Sequence, residues 1–248
     1  MAAMFVRLLL VLLVAMFALS GRVVADEPLA PAEKEAVERV IHDYLLEHPE
    51  VVYQALEKLQ QRQQEEAAER RRLALAELAE EIRRDTRTLV AGNPQASVTI
   101  VEFFDYRCPY CKAMAPRLAA LLDSDTDVKI VLKEYPILGP DSVYAARAAL
   151  AAAEQGKYLE LHDRLMNHKG QLGRDAVLAA ASEIGLDTDR LERDMEAPGV
   201  EQILRSNYDI AGRLAIDGTP AFVIGDEIVG GAIELEELQA KVKAARGS

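Results

Sequence analysis

The stretch Val101-Glu102-Phe103-Phe104-Asp105-Tyr106-Arg107-Cys108-Pro109-Tyr110-Cys111-Lys112 decides how this chain folds and what it can do. Its first residues belong to an apolar run, Val98 to Phe104, rich in β-branched and aromatic side chains, which predicts a buried strand. A helix is expected directly after it, from about Cys108 to Leu122. Cys108 therefore stands where the exit loop of a strand turns into a helix. Unpaired backbone N–H groups and the helix dipole favour a thiolate at such a point. Cys111 lies one turn further in on the same side, placed to attack a mixed disulfide formed at Cys108. Pro109 suits the first helical turn, where its missing N–H is not needed. The rate and direction of exchange through such a pair follow the two thiol pKa values.

These two cysteines are the only ones in 248 residues. A structural disulfide framework spreads more cysteines so as to close long loops, whereas a pair separated by two residues closes almost nothing. Half of a zinc site is the main alternative. Tetrahedral zinc wants four ligands, and His42, His48, His162 and His168 supply no second close pair of the usual spacing. The four histidines are read as ordinary surface or helix residues, and no metal ligand is assigned. Two thiolates also suit Cu(I), so a copper-binding metal-tolerance protein without enzymatic activity is a second functional reading. An inert disulfide in a structural or adhesion role is a third. Redox chemistry, with the Cys108–Cys111 disulfide itself as the active group and no other cofactor, is the leading one.

Toward the amino terminus, Arg7 followed by the apolar run Leu8 to Leu19 and by Val23-Val24-Ala25 reads as a cleavable secretion signal over residues 1–25. An uncleaved anchor is the competing reading, but twelve apolar residues fall short of the ~20 that span a bilayer as a helix. Export places the protein in the periplasm, where a close cysteine pair is better explained by chemistry than by stapling. Loss of Arg7 and Arg22 with the signal takes the net charge from -12 to about -14. Such a balance argues against nucleic acid as a partner, because affinity for phosphate backbones rests on clustered Lys and Arg.

A helical pattern begins at Ala32, with Val37, Val40, Ile41, Tyr44 and Leu45 on one face. Pro49 starts a second helix that carries Val51, Val52, Ala55, Leu56 and Leu59. Gln60 to Arg72 is almost wholly polar, and is either a solvated helix or a flexible connection. The turn Gly92-Asn93-Pro94 marks the expected boundary between a segment 26–91, helical with a linker, and a catalytic domain over 92–248. Within the latter, a strand over Val128 to Tyr135, a helical block over Ser142 to Leu214, strands Ala221–Ile224 and Glu227–Val229, and a helix over Leu235 to Ala245 are expected. Gly218-Thr219-Pro220 precedes the third strand, and a cis bond before Pro220 would lay Thr219 and Pro220 against the cysteines as a client-peptide surface.

With these residues in view, the chain resembles the DsbA-like thiol–disulfide oxidoreductases, and within them the Com1-like and ScsC-like group. The opening segment, Lys133-Glu134-Tyr135-Pro136-Ile137-Leu138-Gly139-Pro140 and Gly218-Thr219-Pro220-Ala221-Phe222 carry the resemblance over about residues 90–246. Residues 33–59 are similar to the amino-terminal helices by which some members self-associate, so a homo-oligomer through residues 32–60 is expected. The resemblance implies a thioredoxin fold with a helical insertion, a cis bond before Pro220 and Cys108 as the attacking thiol. It also implies a proton-handling role for Glu102, with Lys133 paired to it, set against the plain alternative of Glu102 as a surface residue of an edge strand. Pro109 and Tyr110 would flank the client. Strong oxidants of the family have His between the cysteines. Pro-Tyr here argues against an extreme oxidant poise. The expected self-association, which would set several cysteine pairs around a shared space, with Thr219 before the proline, favours a disulfide isomerase or reductase over a DsbA-type oxidase. Client proteins with thiols or disulfides, and a membrane protein that reduces or reoxidises the pair, are the implied partners.

Overall fold

Two neighbouring strands organise the molecule because their sequences can be buried on both faces. In the computed structural model, which describes residues 30–84 and 89–247, β1 runs Leu89–Gly92, β2 Val98–Phe104, β3 Val128–Glu134, β4 Ala221–Ile224 and β5 Glu227–Gly230. The signal expected over residues 1–25 lies outside the described residues. The sheet order is β1-β3-β2-β4-β5. β2 and β3 are parallel, with Val98 opposite Val128 and Phe104 opposite Glu134, while the other three pairings are antiparallel. Parallel strands covered on both sides read as nearly continuous apolar runs, which is how Val98–Phe104 reads.

Ten helical pieces complete the described chain: α1 (Pro31–Glu47), α2 (Pro49–Arg84), α3 (Pro109–Ser124), α4 (Pro140–Ala152) with a following 3-10 turn at Ala153–Gln155, α5 (Tyr158–Asn167), α6 (Arg174–Glu183), α7 (Thr188–Met195), α8 (Pro198–Arg213) and α9 (Leu235–Arg246). One face of the sheet, with Ile100, Phe104, Ile130 and Leu132, packs against α3, the α4–α7 insertion and Leu238 and Val242 of α9. The opposite face, with Val101, Phe103, Val131 and Val223, packs against Leu75, Leu78 and Ile82 of α2, Ile210 of α8 and Leu214 just after it. This is the thioredoxin-like arrangement with a helical insertion and an amino-terminal helical segment that the sequence led one to expect.

One alternative left open by the sequence is settled, and one boundary falls elsewhere. The polar stretch Gln60–Arg72 is helix throughout, laced by Arg72 donating to Glu69 at 2.7 and 2.8 Å. The compact units divide between Gln64 and Glu65, well before the turn at Gly92-Asn93-Pro94. Leu75, Leu78 and Ile82 are buried in the core of the second unit, and Leu89–Gly92 is its edge strand, paired with Leu132 to Lys129. A four-residue strand next to a turn gives too little periodicity to be read in advance.

The first unit is built of α1 and the start of α2. Pro31 opens α1, Glu33 Oε2 accepts from Ala30 N at 3.0 Å, and Pro49 restarts the chain as α2. No residue of α1 is buried, and its apolar stripe stands open, with Val40 68% and Tyr44 52% exposed.

Gly92 turns β1 into the loop with φ +86°, and a Cβ there would lie 2.7 Å from Leu122 Cδ2 and 2.8 Å from Val128 O. Gly92→Ala is therefore expected to lower stability by about 1–3 kcal/mol, read by denaturant unfolding, while Cys108 reactivity is unchanged. An unaltered unfolding midpoint would show that the turn tolerates a side chain.

Candidate active site

Strand β2 delivers the chain into a tight corner held by one carboxyl group. Asp105, 1% exposed, accepts at Oδ1 from Arg107 N (2.7 Å) and Ser142 Oγ (2.8 Å), and at Oδ2 from Leu138 N (3.0 Å). Its carbonyl accepts from Cys108 N at 3.0 Å. The corner thereby fixes Cys108 as the N-cap of α3, with Pro109 as the first helical residue. Lys112 anchors the same helix by donating from Nζ to the carbonyls of Leu165 (3.0 Å) and His168 (2.6 Å) at the end of α5.

Cys108 is nearly covered, at 4% exposed, between this helix start and the Thr219-Pro220 turn, whose peptide bond is cis. As a thiol, Cys108 Sγ donates to Thr219 O at 3.1 Å. As a thiolate it accepts from the Cys111 thiol first, then from Thr219 and from the backbone N–H groups of Cys111 and Tyr110. These donors outweigh burial and bring its pKa down from 9.0 to about 5. Cys111, fully buried, is held well above the ordinary thiol range, because its proton is bound to the Cys108 sulfur and burial disfavours a second charge. One sulfur is ready to attack and the other stays protonated. Pro109 is exposed and Tyr110 is 64% exposed, so both rim Cys108 on the solvent side. Among the described residues no group of three or more His, Cys, Asp or Glu side chains gathers as a metal site.

Glu102 lies on the central strand, between Leu132 and Phe222, and is 2% exposed. The edge-strand alternative is therefore wrong. Burial, and secondarily the charge of Cys108, push its carboxyl up to about 8. It lines, with Cys111, a cavity of about 250 Å³ between α3 and α5. Lys133 does not join it. The register sets Glu102 beside Leu132 and Phe103 beside Lys133. Strand alternation then sends the fully buried Lys133 side chain to the α2 and α8 face, away from Glu102 and Cys111. The expected Glu102–Lys133 pairing overlooked that adjacent register positions face opposite ways.

The sequence reading also passed over a buried polar cluster. Glu134 Oε1 accepts from Tyr106 Oη (2.7 Å) and Tyr158 Oη (2.8 Å), and His162 Nδ1 lies 3.1 Å from Tyr106 Oη. His162 is 8% exposed, not a surface residue. One signal was available: Tyr158, Leu161, His162 and Leu165 share a face at helical spacing.

Comparison with known proteins bears on the domains of the chain. Residues 99–243 match the DSBA-like thioredoxin domain, and residues 33–66 match the N-terminal domain of the copper resistance protein ScsC. A thioredoxin-like oxidoreductase from Silicibacter pomeroyi is 45% identical, with a TM-score of 0.67, over 68% of this chain and 98% of that one. A linker-deleted ScsC variant from Proteus mirabilis is 28% identical, with a TM-score of 0.68, over 90% of this chain and 99% of that one. Among curated relatives, a Na(+)/H(+) antiporter NhaA from Salinispora tropica is 34% identical over 161 residues, 64% of this chain. The chain spans about a quarter of the length of that relative, and no transport property comes with so partial a match. No helix among the described residues is long and apolar enough to cross a membrane.

Alkylation of the reduced protein is expected to label Cys108 alone, with a half-maximal rate near pH 5. Equal labelling of both cysteines, or a midpoint near the ordinary 9.0, would contradict the geometry. The folded state depresses this pKa, so the ionised sulfur stabilises the reduced fold above pH 9 and that contribution disappears as pH falls through about 5. The Tm difference between reduced wild type and Cys108→Ser should accordingly shrink from pH 9 to pH 5. With the match running over residues 99–243 and a thiolate seated at a helix start beside a cis-proline turn, the chain belongs to the DsbA-like thioredoxin-domain family of thiol–disulfide oxidoreductases.

Proposed function

We propose that the protein is an exported disulfide isomerase or reductase that acts on client proteins as a homo-oligomer. The observation that carries this reading is the uncovered apolar stripe of the first unit, where Val37, Val40, Ile41, Tyr44, Val52 and Leu56 are all exposed in the single chain. Side chains of this size at helical spacing are suited to sister copies, and association would set several Cys108 sulfurs around one client. The poise of Cys108 supports the same reading. Strong oxidants hold the corresponding thiol near ~3.5 and thioredoxin-type reductants near ~7, and about 5 lies between. The leader-like residues 1–25 support export to the periplasm, where a membrane protein would keep the pair reduced.

In this mechanism the Cys108 thiolate attacks a client disulfide, a Cys108–client bond forms, and the second client sulfur leaves as a thiolate. That thiolate can attack another client disulfide, which reshuffles the pairing. Where it does not, Cys111 gives its proton to Glu102 and attacks the Cys108 sulfur. A Cys108–Cys111 disulfide forms, and the client departs with both sulfurs reduced. Formation of the mixed disulfide removes the negative charge at Cys108, which is one of the two influences holding the Glu102 pKa up. A larger fraction of Glu102 is then ionised, so a carboxylate is available to accept the proton at the step that needs it. Thr219, half-buried beside Cys108, offers backbone groups to an extended client.

Refolding of scrambled ribonuclease beside oxidation of reduced ribonuclease tests the reading. Scrambled substrate should be rescued by the full chain, and a truncation that begins at Glu65 should lose most of that activity while keeping Cys108 reactivity. The cut belongs there because Leu75, Leu78 and Ile82 are part of the catalytic core. Catalysis of oxidation alone, unchanged by truncation, would identify an oxidase.

A further inference from the structure

His162 lines the cavity that holds Glu102 and Cys111, yet the mechanism above gives it no part. Its surroundings assign its hydrogen. Tyr106 has one hydroxyl hydrogen, directed to Glu134 Oε1 at 2.7 Å, so the Tyr106 oxygen accepts from His162 Nδ1 at 3.1 Å. The proton therefore sits on Nδ1, and Nε2 carries a lone pair. Stacking on Tyr158 (5.9 Å, 21°) and the edge contact with Phe104 (5.0 Å) set the plane of the ring. Burial also pulls its pKa down to about 4, so the imidazole is neutral at working pH.

The cavity runs from a buried to an open end. Glu102 and Cys111 form the inner end, while exposed Ala119, Asp123, Leu159 and Asp163 form the outer one, between α3 and α5. About 250 Å³ has room for several waters at roughly 30 Å³ each, and the polar groups on its wall can hold them. The titratable groups that face the ring or the cavity are Glu102 from β2, Tyr106 from the corner, Cys111 and Asp123 from α3, Glu134 from β3, and Tyr158 and Asp163 from α5.

We propose that His162 is a positioning residue for proton release: its Nε2 accepts from cavity water and orients a water path through which the Glu102 carboxyl exchanges protons with solvent between α3 and α5. The inference rests on the reading of Glu102 as the base for Cys111. While Cys108 is a thiolate, Glu102 is largely protonated at neutral pH, and formation of the mixed disulfide favours loss of that proton. Glu102 loses that proton along the path, takes the Cys111 proton, and the Cys111 sulfur pair attacks Cys108. The Cys108–client bond breaks and the client sulfur leaves with its electron pair. No outside oxidant or reductant is consumed in this step.

The test is the release of thionitrobenzoate from its mixed disulfide with Cys108, followed by absorbance from pH 6 to 9.5. His162→Phe keeps the ring and removes the lone pair. Ala119→Leu, at an exposed position, narrows the outer end without touching the buried cluster. Both are expected to slow release about tenfold at pH 6.5 and to approach wild type above about pH 8.5, where Glu102 starts ionised. Cys108 alkylation should be unchanged in both. His162→Gln, which retains an acceptor, should stay within a few-fold of wild type. If His162→Phe fails to fold, Ala119→Leu decides alone. Wild-type rates at pH 6.5 in both variants, with Glu102→Gln slow, would overturn the path and leave the base in place. A fast Glu102→Gln would remove the base, and the path with it. A deficit that persists undiminished to pH 9.5 would be a packing effect and would also refute the path.

Discussion

A single negative charge, resting on the Cys108 sulfur at the start of α3, sets the state of every other group in the site. The donors that hold it are the Cys111 thiol, Thr219 and two backbone N–H groups, and they are in place because Asp105 ties the β2–α3 corner to the loop before α4. That charge keeps the Cys111 proton in place and adds to the burial that raises Glu102. When Cys108 becomes bonded to a client sulfur, the charge vanishes. Both neighbours are then released toward the next step. The order of events is thus written into the electrostatics of one turn of helix and one strand, with no moving part required.

Burying two carboxyl groups on one face of adjacent strands is costly unless they are neutral or well bonded. Glu102 and Glu134 meet that condition differently. Glu102 is raised to about 8, still within reach of ionisation, and it borders a cavity with an open end. Glu134 is raised well above the carboxylate range, the burial outweighing the hydrogen bonds from Tyr106 and Tyr158. Its Oε2 has no hydrogen-bond partner among the described residues, a cost of about 1–3 kcal/mol. In return, Glu134 orients Tyr106 and, through it, His162.

The two units place different demands on their side chains. In the second, apolar residues close over a five-stranded sheet from both sides, and the helical insertion covers Glu102 and Cys111. In the first, a short helix and the opening of a long one have too few residues to bury their own stripes. Side chains left open in a single chain are the physical basis for reading that unit as an associating element.

Much was legible from residue order alone. The apolar run Val98–Phe104, the helix after Cys108, the second strand from Val128, the carboxyl-terminal hairpin and helix, and the restart at Pro49 are local patterns, and local patterns survive into three dimensions. The placement of Cys108 at a strand-to-helix junction, with Cys111 in the turn that follows, was legible for the same reason. What required the tertiary structure was everything that depends on strand register and on which face a helix buries. Register turned Lys133 away from Glu102, and packing drew Leu75, Leu78 and Ile82 into the catalytic unit. Packing also brought Tyr106, Glu134, Tyr158 and His162 together from three separate stretches of chain. A one-residue shift along a strand reverses the face of a side chain, and no short-range pattern reports which helix will cover that face.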